Sequence, residues 1–176
     1  MKKIGIIVLV MIILLLCVAC GERGYQVGET QEVTGTEITL EQLTLQIEGM
    51  EERQEVKPSD PIGYYNYYEP HEGYYYHVVY GTLKNTGKEQ TYIHTLKVEA
   101  VGKENEVNQG KLVLCNPVNS DFWEDLAPNE ELGFYLFSLV KEGEEPPKAY
   151  HLYYNEDLKE GTKEDTFDYC LKYILE

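Results

Sequence analysis

The sequence predicts an all-β fold, a two-sheet β-sandwich of about seven to nine strands. Apolar residues recur mainly at every second position from about residue 31 to the end of the chain. This spacing sends successive side chains to opposite faces of a strand. Turn-forming residues separate the alternating segments, and about eight short strands in roughly 140 residues are typical of a sandwich.

The amino-terminal segment is predicted to be a lipoprotein signal peptide that covers residues 1–19. Two lysines precede an apolar run, and the small pair Val18-Ala19 comes directly before Cys20. This order is similar to that of bacterial lipoprotein signals, in which the cysteine after the cleavage site carries the lipid. We therefore expect Cys20 to be lipidated, although Cys17 stands where such signals usually have Leu. An uncleaved membrane-spanning anchor is the alternative.

Either alternative places the remainder of the chain outside the cytoplasm, attached to the cell membrane. Removal of residues 1–19 leaves 13 basic and 31 acidic residues, with a formal charge of −18. Binding of nucleic acid depends on clustered cations that displace counterions. The sequence has no such cluster, so a nucleic-acid partner is excluded, and the expected membrane contact is the lipid itself.

Residues 20–30 are predicted to form the lipidated tether. This stretch is polar and contains glycine, and it lacks an apolar period. Residues 31–176 are predicted to be one sandwich domain, because the segment contains no internal repeat and no low-complexity tail.

The first part of the domain contains strands on both sides of a long loop. Alternating apolar residues predict one or two strands within 38–47. Residues 51–73 follow as a polar, tyrosine-rich loop, in which three prolines and two glycines argue against a helix. Residues 74–84 predict the next strand, with His77 on one face and Tyr76 on the other.

The second part predicts five further strand segments. Residues 126–140 are apolar on both faces, which is typical of a central strand. The segments are residues 91–101, 111–115, 126–140, 148–155 and 167–175.

Three motifs together resemble a known family. They are GYYYHVVYGTLKNTGKEQ at 73–90, LKVEAVGKENE at 96–106 and LAPNEELGFYLFSLV at 126–140. They resemble the telokin-like immunoglobulin-fold domains of unknown function carried by Gram-positive surface lipoproteins. The resemblance implies an immunoglobulin-like sandwich and no catalytic residues. Asn129 replaces the family's usual Gly, as expected for a left-handed backbone position, and Gly81 is expected to leave room for a neighbouring aromatic ring.

Two cysteines remain after Cys20 is lipidated. An oxidising exterior permits a disulfide between Cys115 and Cys170, which would stabilise the fold by roughly 4 kcal/mol. The alternative is a pair of buried, unreacted thiols.

The sequence contains no recognisable catalytic or cofactor motif. It has no G-x-S-x-G elbow, no H-E-x-x-H and no P-loop. A metal site at His71 and His77 would need a third ligand such as Glu69, and we expect none. The acidic clusters do not follow EF-hand spacing and are interpreted as solvated charge. We therefore expect no metal, no cofactor and no enzymatic activity; a hydrolase using acidic residues is the least favoured alternative.

The tyrosine-rich loop is the candidate binding site. Tyr64, Tyr65, Tyr67 and Tyr68 lie between prolines and glycines, where four rings cannot all be buried. Exposed tyrosines stack on sugars or fill pockets of protein partners at low entropic cost. We therefore expect residues 63–77 to recognise a cell-surface glycan or another exported protein. The alternative is a loop that covers an open sheet edge.

These observations predict a lipid-anchored extracytoplasmic binding or interaction module. A structural spacer, or an accessory subunit of a cell-envelope complex, is the alternative from a different class.

Overall fold

A computed structural model provides the structure of the protein. The predicted signal peptide and Cys20 lie outside the residues that it describes. Among the described residues, no helix is long and apolar enough to span a bilayer. The described residues are 25–58, 61, 65–115, 122–156, 158 and 165–175.

The regular structure of this part of the chain consists of β-strands and a single turn of 3-10 helix. The 3-10 turn, Ile93–Thr95, lies between β5 and β6. The strands are β1 Gln26–Val33, β2 Glu37–Leu40, β3 Leu43–Arg53, β4 Tyr74–Asn85, β5 Thr91–Tyr92, β6 Lys97–Val101, β7 Val107–Cys115, β8 Phe122–Trp123, β9 Asp125–Leu126, β10 Glu131–Lys141, β11 Ala149–Tyr154 and β12 Thr166–Ile174.

The main sheet is continuous, in the order β1-β12-β11-β6-β7-β10-β4-β3-β2, with β8 paired to β7. β1 and β12 run parallel, whereas the other neighbouring strands of this sheet run antiparallel. β5 and β9 form a separate two-stranded sheet. The all-β prediction is confirmed.

The sheet curls into a nearly closed barrel and does not divide clearly into the two predicted sheets. Its two edge strands, β1 and β2, are consecutive in the chain, so the short turn around Gly35 brings the edges together. Gly35 has a φ of +92°, which favours glycine. Along the seam, Tyr173 and Ile174 of β12 line the same small cavity as Ile47 and Met50 of β3.

The two larger apolar clusters lie on opposite faces of the sheet. Inside the barrel, the core draws buried side chains from most strands, and the largest of them are Tyr150 and Phe134. On the outer face, β4 and β10 contribute to a second group, which we call the outer cluster. β10 lies between β7 and β4, so the predicted central strand is confirmed. The outer cluster consists of Val56, Tyr76, Val78, Cys115, Tyr135 and Phe137.

The predicted tether is shorter than expected, because β1 begins at Gln26. Residues 26–30 therefore belong to an edge strand, and they pair with β12 through backbone groups. Tyr25 also packs on the body, with its ring 4.7 Å from that of Tyr153 and 5.1 Å from that of Phe167. An edge strand with exposed polar side chains carries little apolar signal, which explains the wrong boundary.

Two predictions about local backbone had different outcomes. Asn129 has a φ of +61°, so the left-handed position is confirmed. The reason given for Gly81 is wrong, because a Cβ there would clash with the backbone carbonyl oxygen of Gln46. The glycine thus permits close approach of β3 near its bulge between Ile47 and Gly49.

Candidate functional site

The tyrosine-rich loop between β3 and β4 is attached to the outer face of the sheet. Val56 and Tyr68 form an isolated bridge, in which each backbone amide donates to the other's carbonyl, at 3.1 and 2.9 Å. Val56 is fully buried in the outer cluster. At the end of the loop, the Glu142 amide donates to the Gly73 carbonyl at 2.9 Å. These contacts hold both halves of the loop against the sheet.

Tyr68 closes over the outer cluster. Its ring lies 4.7 Å from Phe137 in an edge-to-face arrangement and 5.7 Å from Phe122. The Lys111 ammonium lies 4.7 Å from the centre of the same ring, which is a cation–π distance. Tyr68 therefore packs against the outer cluster, and its part in ligand binding stays a prediction.

Two further contacts fix the surroundings of the loop. The Tyr76 hydroxyl donates to the Glu69 carbonyl at 2.9 Å. The Arg53 guanidinium lies 4.4 Å from the ring centre of Tyr135, at the point where β3 ends. The loop thus covers a sheet face, whereas the alternative from the sequence placed it over an edge.

Tyr65 and Tyr67 remain at the surface of the loop, and we call them the tyrosine pair. Tyr67 is 43% exposed and Tyr65 is half-buried. Their ring centres are 5.8 Å apart and the planes are inclined by 55°. Beside them, Lys57 forms an ion pair with Glu55 at 2.7 Å. Tyr64 lies outside the described residues.

The tyrosines at the start of β4 also differ in exposure. Tyr75 and Tyr76 are buried, whereas Tyr74 is 37% exposed. Period-two alternation explains part of this division, because Tyr76 points to the outer cluster and Tyr75 to the opposite face.

Cys115 and Cys170 are both buried free thiols, in place of the disulfide considered from the sequence. Cys115 belongs to the outer cluster, whereas Cys170 packs with Tyr153 and Phe167 at another part of the barrel. The residues beside them, Leu114 and Leu171, point into the core, so both thiols point outward from separate strands. Burial raises the pKa of each thiol to about 11.

The structure separates the two histidines that were weighed as metal ligands. His71 lies near the ring of Tyr76, at 6.3 Å on the outer face, while His77 is buried inside the barrel. Within the described ranges, no group of three or more His, Cys, Asp or Glu residues is placed to hold a metal ion.

Sequence reasoning missed a polar network inside the barrel, which joins Ser138, Tyr150 and His77. The Tyr150 hydroxyl lies 3.1 Å from Nδ1 of His77 and 3.2 Å from Oγ of Ser138. Period-two alternation could have revealed part of this network, because it places His77 and Ser138 on the same inward faces as apolar residues of their strands. Nothing local in the sequence indicates that Tyr150 reaches them from another strand.

Comparisons with known proteins show the fold alone. No protein-family model matches the chain, and no curated protein matches it. Among solved structures, an uncharacterised β-sandwich protein from Clostridium difficile is similar, with 16% identity and a TM-score of 0.56 over 89% of this chain and 97% of that chain. This likeness supports a β-sandwich-type architecture.

Weaker similarity extends to two proteins from Bacillus species. A conserved hypothetical protein from Bacillus anthracis is 15% identical, with a TM-score of 0.43 over 73% of this chain and 87% of that chain. The candidate lipoprotein ycdA from Bacillus subtilis is 14% identical, with a TM-score of 0.41 over 80% of this chain and 38% of that chain.

Proposed function

We propose that the protein is a membrane-anchored, extracytoplasmic binding module that recognises a partner through the tyrosine pair. The observation that carries the proposal is that the loop has two kinds of residue: some attach it to the sheet and others stay at the surface. Tyr68 and Val56 fix it to the sheet, while Tyr65 and Tyr67 remain at the surface. A rigid support that presents aromatic rings loses little entropy when it binds.

The favoured ligand is an uncharged cell-surface polysaccharide. Tyrosine rings offer flat apolar faces to sugars, and the hydroxyls add hydrogen bonds. The adjacent Lys57–Glu55 ion pair supplies further donors and acceptors. The formal charge of −18 after removal of residues 1–19 disfavours polyanions. An exported protein is the other partner class, and the experiment below distinguishes the two.

Anchoring through Cys20 is part of the proposal and also orients the domain. Four residues separate Cys20 from Tyr25, where the chain packs on Tyr153, so the two Cα atoms can be at most about 18 Å apart. β1 then starts at the end of the barrel where β12 also starts. A lipid on Cys20 would hold this end beside the membrane and direct the opposite end outward.

The immunoglobulin-like classification is also part of the proposal. The left-handed Asn129 at the family's corner supports it. The similarity to a solved β-sandwich protein is consistent with it. The continuous, nearly closed sheet is a departure from the usual two-sheet arrangement. No catalytic role is proposed, because the sequence lacks nucleophile, zinc and phosphate-binding motifs.

The test is a glycan-array profile, together with a pull-down from cell envelopes, for the wild type and Tyr65→Ser/Tyr67→Ser. Tyr74→Ser is the matched control, since it removes an exposed tyrosine outside the pair. We expect the double variant to lose the glycan signal and the control to keep it. Loss of a protein band alone would assign a protein partner. An unchanged profile for the double variant would favour the structural spacer.

A further inference from the structure

The two edge strands of the main sheet leave a gap between them. β1 and β2 are joined by the turn around Gly35, yet no backbone hydrogen bond connects the two strands within residues 25–40, all of which the structure describes. Most Cα atoms of β1 lie more than 8 Å from every Cα atom of β2, whereas directly paired antiparallel residues are separated by about 4.5–5.5 Å. We call the space between the two strands the edge gap.

The free edge of β2 presents backbone groups to this gap. The Ile47 amide donates to the Thr36 carbonyl at 2.7 Å. In the antiparallel register with β3, every second residue from Thr36 onward therefore pairs with β3. The N–H and C=O groups of Glu37 and Thr39 point the other way, toward the edge gap.

The free edge of β1 has the same property. The Leu175 amide donates to the Lys148 carbonyl at 2.8 Å, so the odd-numbered residues of β12 from 169 onward pair with β11. The even-numbered ones pair with β1, where they reach residues 29, 31 and 33. The N–H and C=O groups of Thr30 and Glu32 are thus left on an unpaired strand edge, which can serve as a template for another strand.

The inner lining of the edge gap is aromatic and acidic. A cavity of about 150 Å³ lies between the strands, and its lining includes Glu29, Glu41, Tyr154 and Tyr169. The two tyrosine rings are stacked, with centres 5.3 Å apart and planes inclined by 26°. Burial, the Glu41 carboxylate and the more distant Glu29 carboxylate raise the pKa of Tyr154 to about 12. Both carboxylates are therefore close enough to act on a cation that lies against these rings.

Acidic side chains predominate along both edges. Glu32 and Glu37 are exposed on β1 and β2, in addition to Glu29 and Glu41. Among the described residues, Lys172 is the only cation in an ion pair with these four, at 3.9 Å from Glu32. Like charges disfavour pairing of this edge with the same edge of a second copy. The charge favours a basic partner instead.

We propose that the edge gap binds an extended peptide segment of another protein, a segment that carries a lysine or arginine, as an added β-strand. Its backbone would pair with Thr30 and Glu32 on one side and with Glu37 and Thr39 on the other. Strands that flank a common neighbour lie about 9–10 Å apart, which fits edges that are too distant to pair directly. In strand addition, main-chain hydrogen bonds supply affinity and pockets for alternate side chains supply specificity.

The cavity supplies such a pocket for one cationic side chain. Alternate side chains of the added strand would point inward, toward the stacked rings of Tyr154 and Tyr169. An ammonium or guanidinium group there would make cation–π contacts with the rings. Glu29 and Glu41 would accept its charge-assisted hydrogen bonds.

The probe is the peptide acetyl-Thr-Val-Thr-Lys-Thr-Val-Thr-amide, whose lysine and valines share one face of a strand. The measurement is hydrogen exchange of individual amides in the purified full-length protein, followed by NMR. Without peptide, the amides of Thr30, Glu32, Glu37 and Thr39 should exchange quickly, because they have no backbone partner. Saturating peptide should slow exchange at these amides by about tenfold or more. Slow exchange in the free protein would mean that β1 and β2 pair directly, and it would overturn the proposal.

Two altered peptides test the separate parts of the proposal on the unchanged protein. Replacement of the peptide's lysine by glutamate should abolish the slowing, because the inward side chain would then meet two carboxylates. N-methylation of alternate peptide amides removes the donors toward one edge and should also abolish it. The proposal fails if either altered peptide slows exchange as much as the original does.

Two double variants of the protein locate the cation. Glu29→Gln/Glu41→Gln should weaken peptide binding about tenfold through lost charge-assisted bonds. Glu104→Gln/Glu106→Gln removes the same charge from exposed positions in another turn and should leave the affinity unchanged. Equal losses in the two double variants would indicate general attraction to an acidic protein and would contradict a site in the edge gap.

Failure of this proposal is distinguishable from failure of the proposed glycan recognition, because the two surfaces share no residue. Tyr65→Ser/Tyr67→Ser should bind the peptide as tightly as the wild type does. Thr30→Pro removes one free-edge N–H without touching the pairing with β12, and it should weaken peptide binding. Circular dichroism identifies any variant that has lost its fold, and the altered peptides then decide the question on the wild-type protein.

Discussion

Tyr68 and Val56 exchange two backbone hydrogen bonds, of 2.9 and 3.1 Å, and so fasten the tyrosine-rich loop to the outer face of the sheet. The bridge gives adjacent tyrosines different roles. Tyr68 faces the outer cluster, and Tyr67 faces solvent.

Tyr68→Ala is expected to lower the free energy of unfolding by about 2 kcal/mol, because it removes a large ring from the outer cluster. Tyr67→Ala removes an exposed ring and should change the same quantity by less than about 0.5 kcal/mol. Urea unfolding followed by circular dichroism measures both. An equal loss of unfolding free energy in the two variants would contradict the packed position of Tyr68 and the exposed position of Tyr67.

Tyr150→Phe is expected to destabilise the protein by about 1–3 kcal/mol, because it leaves both Ser138 and His77 without their shared buried partner. Ser138→Ala removes only one of these contacts and should cost less. Thermal or urea unfolding of both variants gives the comparison. A Tyr150→Phe protein as stable as the wild type would mean that the network is not formed.

Cys115 and Cys170 are expected to resist alkylation in the native protein and to react fully after unfolding. Burial raises the pKa of both thiols to about 11, so little thiolate is present at neutral pH. Peptide mass spectrometry after alkylation in native buffer and in denaturant measures each site separately. A disulfide-linked peptide pair in the unreduced protein would contradict the structure.

Acid is expected to destabilise the fold partly through His77. Its folded-state pKa is lowered by burial, so the unfolded chain binds a proton first as the pH falls through about 6.5. Stability is therefore fully present above that pH and declines below it, by at most about 1.4 kcal/mol per pH unit from this one group. His77→Gln should flatten the decline between pH 7 and 5, whereas the exposed control His71→Gln should not. Identical pH profiles for wild type and His77→Gln would refute this assignment.

Local periodicity predicted most of the long strands, but it predicted neither β1 nor the arrangement of the sheet. The alternation in β4 correctly assigns His77 and Tyr76 to opposite faces, because a period of two needs no information from other strands. The pairing of β1 with β12 depends on backbone groups, and the polar side chains of β1 give no sign of it. The sheet curls into one nearly closed barrel as a result of that pairing. The sequence pattern did not predict this closure.

Local sequence patterns also predicted only part of the candidate site. Composition and prolines correctly predicted that the loop would expose some rings, and Tyr67 confirms this. The choice between Tyr67 and Tyr68 depends on the bridge to Val56, which joins residues from the two ends of the loop. No local pattern distinguishes two consecutive tyrosines in this situation.

The most direct test of recognition through the tyrosine pair needs no knowledge of the ligand. Tyrosine nitration is measured by peptide mass spectrometry on intact cells that carry the protein and on the purified protein. Tyr74, at 37% exposure, is the internal reference for Tyr67, at 43%. We expect Tyr67 to be protected from nitration several-fold relative to Tyr74 on cells and to lose this protection after purification. An unchanged ratio between the two samples would contradict it.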